Sequence, residues 1–229
     1  MGTPEVILRM EGVTKVYGSG HRAVTALDDV SLQARAGEVV LVMGPSGSGK
    51  TTLLTIAGAL LKPTRGTVRV CDTDITDMDE NRLASIRRQK VGFVYQSFNL
   101  LEALTALENV RLVTANGVPN GVTSRDRAKE LLEMLGLGHR LHSLPKHLSD
   151  GEKQRVAIAR ALAKNPVLML ADEPTANLDT KRGQEVAQLL RQKVLEMNKA
   201  AIIVSHDQRI HDLADRAFWL EDGRLRPDS

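Results

Sequence analysis

Gly44-Pro45-Ser46-Gly47-Ser48-Gly49-Lys50-Thr51 constrains this chain more than any other segment, because it fits G-x-x-x-x-G-K-[ST] in full. Upstream, Glu38 to Met43 reads as a buried strand; downstream, Thr52 to Leu60 reads as a helix. A glycine-rich turn between the two aims successive backbone N–H groups and the positive helix end into one concavity, which suits a polyphosphate. Lys50 can reach the β and γ oxygens, and the Thr51 hydroxyl can ligate Mg²⁺. The segment therefore predicts binding of a nucleoside triphosphate.

At 229 residues the chain is long enough for one large domain or two small ones, with a sizeable core. Aromatics are only 3%, so that core must be built from Val, Leu, Ile, Ala and Met. The 31 basic and 28 acidic residues are interspersed and leave a net charge of only +3, too balanced to point to nucleic acid. Cys71 is the single cysteine, which rules out an internal disulfide and fits a reducing compartment; it is expected to be a plain strand residue. No signal peptide is expected, and no apolar run approaches the roughly 18 residues of a membrane span. A membrane role would have to be exerted from outside the bilayer.

The chain shows no repeats. Val6 to Ala36 alternates in short stretches and predicts strands of an antiparallel sheet, followed later by strand Gly66–Val70, helix Asp79–Arg88 and strand Val91–Tyr95. From Gln96 to Asn165 the pattern is helical, with Ser124 as expected N-cap of a helix Arg125–Leu135 closed by Gly136, and with Asn116 to Gly121 as a loop. Strand Val167–Ala171, helix Lys181–Met197 and strand Ala200–Val204 resume the alternation. A hairpin turning at Asp222-Gly223 ends it. Strand–helix alternation on both sides of a helical stretch predicts an α/β fold: a parallel-sheet core of about residues 1–96 and 166–229, and a helical subdomain of about residues 97–165 inserted in one domain.

Other residues extend the phosphate chemistry. Strand Leu168–Asp172 ends in adjacent carboxylates: Asp172 can hold Mg²⁺ through water, and Glu173 can polarise an attacking water as general base. His206 follows a strand, where open α/β sheets gather ligands, and could hydrogen-bond a γ-phosphate. The Gln96 amide could sense both Mg²⁺ and the attacking water.

Leu148-Ser149-Asp150-Gly151-Glu152-Lys153-Gln154-Arg155 resembles the signature motif of the ATP-binding cassette (ABC) ATPases, most often L-S-G-G-Q. The remaining motifs then fall into that family's order over residues about 6 to 226. The resemblance implies a RecA-like P-loop fold with an antiparallel β subdomain, and Tyr17 stacking on adenine. It also implies phosphate contacts from Gly44 through Thr51 and Thr52, Gln96 as the Q-loop residue, Asp172 as the Walker B acid and Glu173 as the catalytic carboxylate. Ala176-Asn177-Leu178-Asp179 becomes the D-loop and His206 the switch histidine. A head-to-tail homodimer is implied as well, with Ser149 and Gly151 of one copy's signature segment completing the ATP site of the other, and Asp179 as a further nucleotide-binding residue. Ser149 is a natural N-cap for a helix through Ala163, and Ser149-x-x-Glu152 a capping box. The departures at Asp150 and Glu152 are then helix-start acids, with the Asp150 side chain expected to point outward.

Within the family the chain is similar to the exporter-type ATPases typified by LolD, MacB and FtsE. That implies ATP and Mg²⁺ as cofactors, a separate integral-membrane permease as partner, and a peripheral position on the cytoplasmic face of a bacterial inner membrane. An importer subunit, or a soluble cassette with no permease, is the alternative. The apolar Phe98, Leu100, Leu101 and Leu104, directly after Gln96, are the expected permease-docking groove.

Overall fold

Two strands of 12 residues each, β1 (Val6–Tyr17) and β2 (Val24–Arg35), pair antiparallel with several bulges, and β4 (Arg65–Val70) and β5 (Thr73–Asp74) extend them into a sheet of order β2-β1-β4-β5. The computed structural model describes residues 4–114 and 123–228; the expected loop 116–121 lies outside them. Cys71 is not a strand residue: it forms the β4–β5 turn with Asp72, both at positive φ (48° and 59°), as two-residue hairpin turns require.

The second sheet has the order β10-β9-β3-β8-β7-β6. Its members are β3 (Val39–Met43), β6 (Val91–Val94), β7 (Leu168–Asp172), β8 (Ala200–Ser205), β9 (Arg216–Glu221) and β10 (Arg224–Pro227). All pairings are parallel except β9–β10. Every residue of β3 and β8 is buried, so both faces of the sheet must be covered, and continuous apolar runs are what such strands need. Alternate residues divide accordingly. Val40, Val42, Leu170, Ile202 and Val204 pack with helix α1 (Lys50–Ala57) and the antiparallel sheet. Leu41, Met43, Ala171 and Ile203 face the other way, toward α5 (Asp150–Leu162) and α6 (Thr180–Glu196).

Helices α3 (Ala106–Leu112), α4 (Ser124–Met134) and α5 lie in sequence between the neighbouring strands β6 and β7, while α2 (Glu80–Lys90) leads into β6. The N-cap of α4 is Thr123, whose hydroxyl accepts the Asp126 amide; Ser124 is the first helical residue instead. Helix α1 begins at Lys50, two residues before the expected start, because Gly49 at φ 107° caps it without a side chain. The backbone of α5 lies directly on β6: a Cβ at Gly92 would come within 2.6 Å of the Ala161 carbonyl oxygen.

Candidate functional site

Four adjacent parallel strands deliver the site from their C-terminal ends, where open α/β sheets collect ligands. β3 runs into the 44–51 loop, β6 is followed by Gln96, β7 ends on Asp172 and Glu173, and β8 ends just before His206. These ends border one cavity of about 550 Å³, lined by Ser46, Gly47, Gly49, Lys50, Thr51, Thr52, Gln96, Asp172, Glu173 and His206, with Ala26 from β2. Lysine, hydroxyl, amide, carboxylates and imidazole thus meet at the mouth of a helix N-terminus.

Within this cavity the groups are already engaged. The Lys50 ammonium donates to the Gly44 and Pro45 carbonyls at 2.7 and 2.8 Å, so the loop's own oxygens satisfy it. The Thr51 hydroxyl donates to Asp172 Oδ2 at 3.2 Å. Burial pushes the Asp172 carboxyl up from its usual range, and the nearby Glu173 charge adds to that, while the Thr51 hydroxyl and Lys50 oppose it. The Ser205 hydroxyl donates to Glu173 Oε2 at 3.0 Å and the His206 amide to the same oxygen at 3.3 Å; His206 Nδ1 lies 2.8 Å from Oε1. Glu173 itself stands at φ 47°, a left-handed backbone that turns its carboxylate back over the strand end.

The remaining predicted residues divide into rim and distant groups. The Tyr17 hydroxyl is 3.5 Å from the Thr52 hydroxyl and its ring is exposed, at the edge of the cavity. Gly44, Pro45 and Ser48 support the loop without lining the cavity. Ser149, Gly151 and Asp179 do not line it either. Ser149 caps α5 in a reciprocal capping box with Glu152, and Asp179 caps α6 by accepting the Arg182 amide. Asp150 pairs with Lys153 of its own helix at 3.0 Å. Sequence reasoning missed Ala26, the Ser205 hydroxyl and Asn177, whose amide donates to the Gln96 carbonyl at 2.7 Å. Ser205 directly precedes His206, a proximity that could have flagged it.

A second cavity, of about 490 Å³, opens beside Tyr95, the residue before Gln96. Of the four apolar residues expected there only Leu101 lines it; its apolar wall also includes Val91, Phe93, Leu112 and Val113. Leu100 instead packs on the core, and Phe98 turns under Lys153, whose ammonium is 5.8 Å from the ring centre. Arg87, Arg88, Arg160 and Lys164 also line the groove, and among the described residues no acidic one does.

Comparison with known proteins agrees with this geometry. The profile of the ABC transporter family matches residues 27–176. An uncharacterised ABC transporter ATP-binding protein of Thermotoga maritima is 50% identical over 220 residues, covering 96% of this chain and 93% of its own length. LolD of Shewanella oneidensis, the ATP-binding protein of a lipoprotein-releasing system, is 44% identical over 232 residues, covering 98% of each. Among solved structures, a dimeric ATP-binding cassette in a post-hydrolysis state with ADP and Pi has a TM-score of 0.86 at 42% identity. It covers 96% of this chain and 98% of that one.

Proposed function

The chain belongs to the ABC transporter family of ATPases, and from that premise we propose that it hydrolyses ATP at a site shared between two copies to drive a separate membrane permease. The observation that carries this reading is the single cavity uniting Lys50, Thr51, Gln96, Asp172, Glu173 and His206. Lys50 exchanges its two loop carbonyls for β- and γ-phosphate oxygens, which form the stronger charge-assisted bonds. Glu173 takes the proton of the attacking water, and Ser205 and the His206 amide hold its carboxylate in place. With Nδ1 turned to Glu173, His206 has only Nε2 left for a γ-phosphate.

The Thr51 hydroxyl and the Asp172 carboxylate, two oxygen donors 3.2 Å apart, fit a Mg²⁺ ion. No cluster of three or more His, Cys, Asp or Glu side chains that would hold a metal occurs among the described residues; the Gln96 amide, phosphate and water would complete the set. The ion would clamp the phosphates and offset the burial that raises the Asp172 carboxyl, favouring its charged form.

The second copy supplies Ser149, Gly151 and Asp179, which do not line this cavity in a single chain. The capped N-terminus of α5 is a ready anion site once it faces a γ-phosphate. ATP, and not ADP, is therefore expected to dimerise a hydrolysis-deficient form, as light scattering would reveal; equal dimers with ADP would count against shared sites. In the same assay Asp150→Gly is expected to leave dimerisation unchanged, because Asp150 is paired within its own helix. Markedly tighter dimers would place its charge against the phosphate.

The lobe of about residues 97–165 receives the permease in the groove beside Tyr95. Exposed Leu101 and Leu112, at 49% and 52%, offer apolar surface, and the surrounding cations favour an occupant bearing a carboxylate. Membrane contact runs through that partner at the cytoplasmic face of the inner membrane; no described helix is long and apolar enough to cross a bilayer. The likeness to LolD supports the exporter-type assignment. Leu101→Asp and Leu112→Asp should each abolish co-purification of the permease and leave ATP affinity within about twofold, since both side chains are solvent-facing. Intact assembly with both variants would remove the groove from the account.

A further inference from the structure

Phe98 and Asn99 are consecutive non-glycine residues in the left-handed backbone region, at φ 59° and 50°. Such a pair persists only where the surroundings over-determine it. Besides the turn's own bonds, in which the Phe98 amide donates to the Tyr95 carbonyl at 3.3 Å and Ser97 Oγ to Asn99 Oδ1 at 3.0 Å, one side chain from outside braces it. Arg160 of α5 donates Nη2 to the Phe98 carbonyl at 2.8 Å and Nη1 to the Asn99 carbonyl. Its half-buried guanidinium has no carboxylate partner among the described residues, so its charge is spent on those two oxygens. Lys153, two turns earlier on the same helix, covers the Phe98 ring. From the opposite side Asn177 holds the Gln96 carbonyl. The loop that carries Gln96 is thus tied to its surroundings through its backbone, by Arg160 and Asn177.

We propose that Arg160 is a positioning residue, a latch that makes the setting of Gln96 in the ATP cavity follow the position of α5. The proposal rests on the role given to Gln96 above. Helix α5 has 13 residues, about 20 Å as a rigid rod, with Ser149 capping one end and Arg160 near the other. A displacement of the Ser149 end therefore reaches the Phe98 and Asn99 carbonyls without passing through any flexible segment. Without the latch the tandem left-handed turn loses its tie to α5, and the setting of Gln96 no longer follows that helix.

The test uses the full chain with Arg160→Gln and Arg160→Lys, alone and combined with Gln96→Ala. Arg160→Gln is expected to lower kcat by about ten- to a hundredfold, the scale of a misplaced catalytic group. ATP affinity, measured in a Glu173→Gln background, should stay within about twofold of the Glu173→Gln parent, a change of about 0.4 kcal/mol or less. Arg160→Lys should recover part of the rate, because an ammonium reaches one carbonyl where the fork reaches two. In the Gln96→Ala background Arg160→Gln should cost nothing further. A rate within twofold of the parent, an equal loss of ATP affinity, or a full additional loss on top of Gln96→Ala would each overturn the latch. Amide exchange of residues 97–101 reads the tie directly: it should accelerate in Arg160→Lys, which keeps charge and most of the packing even if Arg160→Gln does not fold, and unchanged exchange overturns the proposal. Gln96→Ala hydrolysing at the parent rate would instead refute the role of Gln96, a separable result.

Discussion

Glu173→Gln is expected to lower ATP hydrolysis by about two to four decades, the scale of a lost general base, while ATP binding stays intact. The change preserves shape and removes basicity. One amide oxygen can still accept from Ser205 and the His206 amide, as Oε2 does now at 3.0 and 3.3 Å, so the backbone at φ 47° keeps its support. The Thr51–Asp172 contact and Lys50 are untouched, so affinity for Mg-ATP should change by no more than about twofold. Single-turnover phosphate release measures the chemical step, and equilibrium binding measures the rest. Near-normal turnover would take the base role away from Glu173 and leave Gln96 and His206 to orient the water.

Gly49→Ala should weaken triphosphate binding by at least about a hundredfold, or about 2.7 kcal/mol. Position 49 has φ 107°, and an added Cβ would stand 2.3 Å from the Ala26 carbonyl oxygen, a backbone atom that cannot move aside cheaply. The loop must open or α1 must start later, and either displaces the amides that face the phosphates. Gly47→Ala is the internal control: its φ of 81° carries the same kind of strain, but nothing lies within 4 Å of the added carbon. Calorimetric nucleotide titrations, paired with thermal melts, should rank the two variants in that order. Equal affinity in both would show that backbone strain alone, without the clash at Ala26, sets the requirement for glycine.

The parts of the site legible in the sequence were those whose meaning is local. The 44–51 loop announces itself between an apolar strand and a helix, and Asp172-Glu173 follows its strand directly. Ser149 and Glu152 satisfy each other within one turn, so their capping box could be read from spacing. What escaped depends on partners far along the chain. The Ser205 and His206 donors reach Glu173 across 32 and 33 positions, and Asn177 reaches Gln96 across 81. Adjacent Thr123 and Ser124 are both good N-caps, and only the side-chain bond to the Asp126 amide chooses between them. The groove was misread for a backbone reason: positive φ at Phe98 and Asn99 reverses the chain, so apolar neighbours in sequence do not share a surface. Cys71 was misplaced because Cys-Asp is not the Asn-Gly type of pair that signals a hairpin turn.

At Gly92 the backbone of β6 comes so close to α5 that an added Cβ would stand 2.6 Å from the Ala161 carbonyl oxygen. Because α5 rests its backbone on β6, it belongs to the layer covering the sheet as much as to the lobe. Any tilt of α5 would therefore have to pass over the spot at Gly92, as a rod passes over a bearing, with the strand beneath it held by its pairing to β7. A methyl group at that spot would jam the bearing at one angle. Such a tilt crosses the very strand that hands the chain on to Gln96.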